Sequence, residues 1–154
     1  MAYTEITNIT TAKNLLYDKL KTDLEADLEV TLLKQGGIDS FRSNHQNGSL
    51  VLHYDGSDYS DSESKNIVLQ DRLMRIAAYI QIRAEKGLDY RDQMIDKILT
   101  SVSGIKFSAL HKTGRVRPAS DNYIAPEEQE KLMYLEHVII FLVPAQFEQS
   151  EDNF

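Results

Sequence analysis

The chain has 154 residues, 42% of them hydrophobic, a formal net charge of −7 and no cysteine. That length and apolar content suit one domain with its own core, here taken as residues 1–154 with the core over about 8–143. The missing cysteines exclude disulfides, thiolate metal sites and cysteine nucleophiles, and the acidic balance argues against tight or sequence-specific nucleic-acid binding.

The first predicted element is a helix over Asn8–Asp27. Ile9, Ala12, Leu16, Leu20 and Leu24 recur at steps of three and four, which places them on one face. A short strand over Leu28–Leu33 follows and ends at Gly36-Gly37, a turn signal. Ser40–Gly48 reads as a loop and Ser49–Tyr54 as a second strand. Asp55–Lys65 is rich in Gly, Ser and Asp and reads as a mobile polar loop or hairpin tip.

Asn66–Glu85 reads as a long strand. Met74, Ile76, Ala78, Ile80 and Ile82 share one face, whereas Ile67, Leu69 and Leu73 have the opposite parity, so a bulge or bend is expected between the halves. Gly87 breaks the strand. A second helix over Leu88–Val102 carries Leu88, Ile95, Ile98, Leu99 and Val102 on its apolar stripe and stops at Ser103-Gly104. A fourth strand is expected over Ile105–His111, a long loop over Lys112–Pro126, and a last strand over Lys131–Val143 that Pro144 stops. Residues 144–154 read as an acidic, flexible tail. The fold class is α+β: a mainly antiparallel sheet of about five strands with two helices packed on one face.

The last strand is apolar on both sides. Leu132, Tyr134, Val138, Ile140 and Leu142 face one way, and Met133, Leu135, Ile139, Phe141 and Val143 the other. Either it is a central strand covered within the monomer, or one side, with Tyr134 or Phe141, meets another subunit.

Little in the chain points to chemistry. His45, His53, His111 and His137 lack the local pairing of metal sites. Asp55, Asp58, Asp61 and Glu63 form an acidic cluster, but Gly56 and the spacing do not fit a calcium loop. No phosphate-cradling glycine loop, dinucleotide fingerprint or nucleophile elbow occurs. Lys106, Lys112, Arg115 and Arg117 make a small basic patch, either a solvated loop or a docking surface for an acidic patch on another subunit. No catalytic residue, metal or cofactor is expected. Met1–Thr10 lacks the basic-then-apolar pattern of a signal peptide, and the longest apolar run, Val138–Val143, is too short to span a bilayer.

The order of elements, with "SLVLHYDG" (Ser49–Gly56), "RIAAYIQIRAEKG" (Arg75–Gly87), "LDYRDQMIDKILTSVSG" (Leu88–Gly104) and "LMYLEHVIIFLV" (Leu132–Val143), resembles the Mu-like prophage tail protein family, similar in turn to the tail terminators of long-tailed phages. The resemblance runs from about Asn8 to Val143. It implies a structural virion protein assembled in the host cytoplasm: a ring, usually a hexamer, that caps the tail tube and joins it to the head-side connector, with possible sheath contacts. A neck adaptor or head–tail connector is the alternative, and a cytoplasmic non-catalytic binding module a different class. An acidic lumen would let DNA slide through such a ring without sticking. Lys112, Arg115 and Arg117 are expected to contribute one side of a subunit contact, and the Asp55–Glu63 loop, with Asp55, Asp58 and Asp61, either the other side or the lumen lining.

Overall fold

The computed structural model describes residues 8–33, 45–60, 67–125 and 133–150, with the side chains of 67–69 and 147–150 set aside. Two helices and five strands follow in the order α1 (Asn8–Leu24), β1 (Glu29–Leu32), β2 (Gly48–Tyr59), β3 (Ile67–Arg83), α2 (Gly87–Val102), β4 (Arg117–Ile124) and β5 (Tyr134–Ser150). The strands form one sheet ordered β1-β2-β3-β5-β4, parallel only between β1 and β2. This is the α+β fold expected from the sequence.

Alternation in the long strands builds the core. Leu50 and Leu52 of β2, Met74, Ile76, Ala78, Ile80 and Ile82 of β3, and Ile139, Phe141 and Val143 of β5 turn to one face and are buried there. Both helices contribute to that same cluster. From α1 come Ala12, Leu16, Leu20 and Leu24, each one turn after the last, and from α2 Met94, Ile95, Ile98 and Val102. Leu88, expected on the stripe of α2, is instead 56% exposed, because it sits in the helix's first turn outside the contact. The helices are tied together and to the sheet by polar groups. Ser101 Oγ donates to Asp23 at 2.5 Å, Lys97 pairs with Asp27, and Asn47 Nδ2 donates to the Asp27 carbonyl at 3.0 Å.

The chain departs from expectation at four places. First, β2 does not stop at Tyr54: Ser57, Asp58 and Tyr59 pair with Met74, Leu73 and Arg72. The polar Asp55-Gly56 pair is a bulge opposite Arg75, and Gly56 takes φ 106°, where a Cβ would lie 2.6 Å from Arg75 Nη2. The irregularity expected within β3 therefore sits in its partner, while β3 stays in unbroken register with β5. The remainder of the expected polar loop, including Asp61 and Glu63, lies outside the described residues.

Second, Ile105–His111 is a turn, not a strand. Leu110 and His111 N–H both donate to the Phe107 carbonyl, while Gly104 N–H to Val116 O (2.7 Å) and Val116 N–H to Ile105 O (2.8 Å) close the loop. Leu110 and Val116 are buried, so the apolar residues there anchor a loop. Third, the expected loop 112–126 contains β4. All its residues but Ile124 are exposed, and an edge strand with no side to bury shows no alternation. Fourth, β5 runs through Pro144 to Ser150. Gln146 N–H donates to Leu110 O, away from β3, so by the two-residue period the missing N–H of Pro144 also lies on the side away from β3. The β3 ladder loses no donor there, which is where a sheet tolerates proline.

Candidate functional site

The sheet is helix-covered on one face, and among the described residues no helix lies on the other. The opposite face carries Val51 and His53 from β2, Ala77 and Tyr79 from β3, and Val138, Ile140 and Leu142 from β5. Val51 and Ala77 are buried yet stand apart from the core cluster, and Val138, Ile140 and Leu142 are half-buried. The His53 and Tyr79 rings stack at 5.2 Å between centroids and 11° between planes, shielding the small residues beside them. Tyr134 belongs to this face, with Arg83 over its ring at 5.9 Å. Phe141 does not. It is fully buried under the helices, so its expected place at a subunit interface is corrected: its large ring fills the monomer's own core.

At one end of the sheet lies a groove of about 440 Å³ lined by Asp58, Tyr59, Ser60, Asp71, Leu73, His111, Gly114, Arg115, Arg117 and Pro144. It joins the end of β2, the start of β3 and the 105–116 loop. The sequence placed the Arg115–Arg117 pair on one side of a subunit contact and Asp58 on the other side or in the lumen; the structure brings all three to one groove of one chain. Asp58 is engaged by Arg75 at 2.7 Å. Arg115 Nη1 donates to the Gly104 carbonyl at 2.8 Å, so this side chain braces the loop. Arg117 and Lys112 are exposed, and Asp55 is exposed on the bulge. Asp61 lies outside the described residues.

The groove wall is held by side chains that sequence patterns do not single out. His111 Nδ1 accepts the N–H groups of Gly114 (2.8 Å) and Thr113 (3.2 Å), which leaves Nε2 as the protonated nitrogen facing Asp71 Oδ1 at 3.1 Å. Gly114 is required there, because a Cβ would sit 2.7 Å from Pro144 Cγ. On the other side Arg72 reaches Ser57 Oγ (3.0 Å) and the Tyr54 hydroxyl (3.1 Å), with the Tyr54 and Tyr59 rings beneath it. Burial works to raise the Tyr54 phenol, but its bonds to Ser57 and Arg72 and the nearby positive charge outweigh it, and the net pKa is lowered. No sequence signal marks this cluster, since Arg72 lies 15 residues from Ser57 and 18 from Tyr54.

His137 is buried on β5 with Nε2 2.8 Å from Asp121 Oδ1, linking β5 to the edge strand β4. Among the described residues no group of three or more His, Asp or Glu could hold a metal ion, and no helix is long and apolar enough to cross a membrane. The groove and the opposite sheet face carry arginine and aspartate side chains, stacked rings and half-buried aliphatic surface. The Gp37 protein family matches this chain over residues 17–149. No curated protein matches it.

Proposed function

The chain belongs to the Gp37 family, a phage-associated family, and we propose that it is a non-enzymatic structural protein of the virion, a tail-terminator or tail-completion ring. Copies assemble head to tail, most simply as a hexamer, on the end of the tail tube, next to the head-side connector, and DNA passes through the lumen without specific contact. The observation that carries this reading is the helix-free sheet face. Half-buried Val138, Ile140 and Leu142, with Tyr134 at one end and the groove of Asp58, Asp71, Arg115 and Arg117 at the other, form the mixed apolar and charged surface that serves association. A negative net charge suits a conduit for DNA. A neck adaptor would use the same surfaces one layer higher.

The test pairs folding with incorporation. Lys112→Glu together with Arg117→Glu reverses two exposed charges, so the isolated chain should keep its stability within about 0.5 kcal/mol. Its incorporation into particles, followed by electron microscopy of tails, should fall. Normal tails carrying the double variant would remove this patch, and wild-type protein found in particles as anything but a ring would remove the ring.

A further inference from the structure

The segment that walls the groove is anchored at both ends and lightly held between them. Leu110 and Val116 are buried, Gln146 N–H donates to Leu110 O, and Val116 is bonded through its backbone to Gly104 and Ile105. Between these anchors lies a tip, residues 111–115. Thr113 and Gly114 N–H both end on a single atom, His111 Nδ1, at 3.2 and 2.8 Å. The other holds on the tip are the Arg115 bond to the Gly104 carbonyl and the seat of Gly114 against Pro144. An imidazole nitrogen accepts only while it carries no proton. Two backbone donors of the tip therefore depend on one titratable acceptor.

We propose that His111 is a pH-operated clasp. With a neutral ring it closes the tip 111–115 against the end of the sheet; with a second proton it releases the tip, and the Arg115 side of the groove goes with it. The surroundings of the ring set this direction. A proton on Nδ1 would point an N–H at two N–H groups, and both would have to turn to water for an acceptor. Asp71, on β3, pulls the other way, because its carboxylate 3.1 Å from Nε2 favours an imidazolium. The Asp71 side chain is 62% exposed, however, and a pair so open to water contributes little. Asp58 and Tyr59 line the same groove from β2, and the Asp58 charge is already engaged by Arg75. Arg115 and Arg117 line it from the loop and the start of β4, with exposed Lys112 next to His111 in the chain, and these cations oppose a further positive charge. From β5 the groove receives Pro144, which is uncharged. Loss of the two backbone bonds outweighs the exposed ion pair, so the clasp holds at neutral pH and opens as pH falls through the histidine range. Release stays local, because Leu110 and Val116 keep their buried places. The device does not rest on the ring reading, and the single chain suffices to test it.

The test is amide hydrogen exchange by nuclear magnetic resonance, corrected for the intrinsic pH dependence of exchange. Protection of the Thr113 and Gly114 amides should fall by about tenfold between about pH 8 and about pH 5, while Ile76 and Phe141, deep in β3 and β5, keep theirs. His111→Asn places a carbonyl oxygen where Nδ1 stands and does not titrate, so its tip should stay equally protected at both pH values. Asp71→Asn removes the ion pair but leaves Nδ1 in place, so its tip should still open in acid. The wild-type ring supplies a readout that needs no variant: imidazole nitrogen shifts should show Nδ1 without a proton at neutral pH. A protonated Nδ1 there, or tip protection that does not change with pH, would overturn the clasp. So would a His111→Asn tip that opens in acid like the wild type, an Asp71→Asn tip that no longer opens, or a loss of protection that includes Ile76 and Phe141.

Discussion

Ile140 and Phe141 are neighbours on β5 with opposite duties, and alanine at each measures the two sides of the sheet separately. Phe141 is fully buried beneath the helices. Phe141→Ala removes its transfer free energy and leaves a cavity that the surrounding Ile76, Ile139 and Val143 cannot fill, so a loss of about 3–5 kcal/mol is expected. At about 2–4 °C per kcal/mol for a chain of this size, the melting temperature should fall by roughly 6–20 °C. Ile140 lies half-buried on the helix-free face, where water replaces the lost atoms and no closed cavity forms. Ile140→Ala forfeits only part of about 0.8 kcal/mol for each of its missing carbons, roughly 1–2 kcal/mol in all. The assay is denaturant unfolding of each variant at a concentration where the chain is monomeric, followed by the mass of the concentrated protein. Phe141→Ala should weaken folding and Ile140→Ala chiefly assembly. An Ile140→Ala variant as unstable as Phe141→Ala in the monomer would mean that this face is covered within the chain and would refute the reasoning.

Two further substitutions probe the frame. Gly48→Ala should destabilise by at least about 3 kcal/mol or prevent folding, because φ is 141° there and a Cβ would lie 2.0 Å from the Gln81 carbonyl oxygen; thermal unfolding reads the loss, and a wild-type melting curve would contradict the geometry. The Asp23 carboxyl is held below its ordinary value of 3.8 by the Ser101 hydroxyl first and the Lys19 ammonium second. A depressed folded pKa gives a contribution that is complete above the unfolded value and is lost as pH falls through the folded one. Asp23→Asn should therefore flatten the decline in melting temperature below about pH 4, and an unchanged acid limb would show that the pair is inert.

Long apolar periods are legible in the residues, and isolated polar stretches are not. Met74 through Ile82 alternate over nine residues, and Ala12 through Leu24 step by four, so periodicity alone suffices to place β3 and α1. The two sides of β5 also separate correctly by parity, although which side the helices cover depends on packing that no local pattern records. The errors concentrate where a residue's usual meaning is overridden by its neighbours. Gly56 reads as part of a polar loop but serves a bulge, and Pro144 reads as a stop but turns its missing donor away from β3. Arg117–Ile124 reads as a loop because an exposed edge strand has no apolar side. Of the expected contact residues, Asp58, Arg115 and Arg117 come together in one groove and Tyr134 stands on the helix-free face, whereas Phe141 serves the core. The arginine–tyrosine cluster and the His111 brace leave no trace in the sequence, because their partners are brought together only by the strand register.

The place of β5 in the sheet has a consequence for how each copy comes into being. This strand is the last of the five to be synthesised, yet it lies between β3 and β4 and supplies Ile139, Phe141 and Val143 to the core. Its partner residues in β3 lie between 51 and 83 positions earlier, from Arg83↔Tyr134 to Ile67↔Ser150. Pairings of that sequence separation form late and slowly. A nascent chain that has reached β4 therefore holds an unfilled slot beside β3, with Met74, Ile76 and Ala78 waiting for their covering neighbour. The edge strand β4 has nothing to dock on until that slot is filled. Insertion of the last strand therefore completes the core and gives β4 its neighbour in one event.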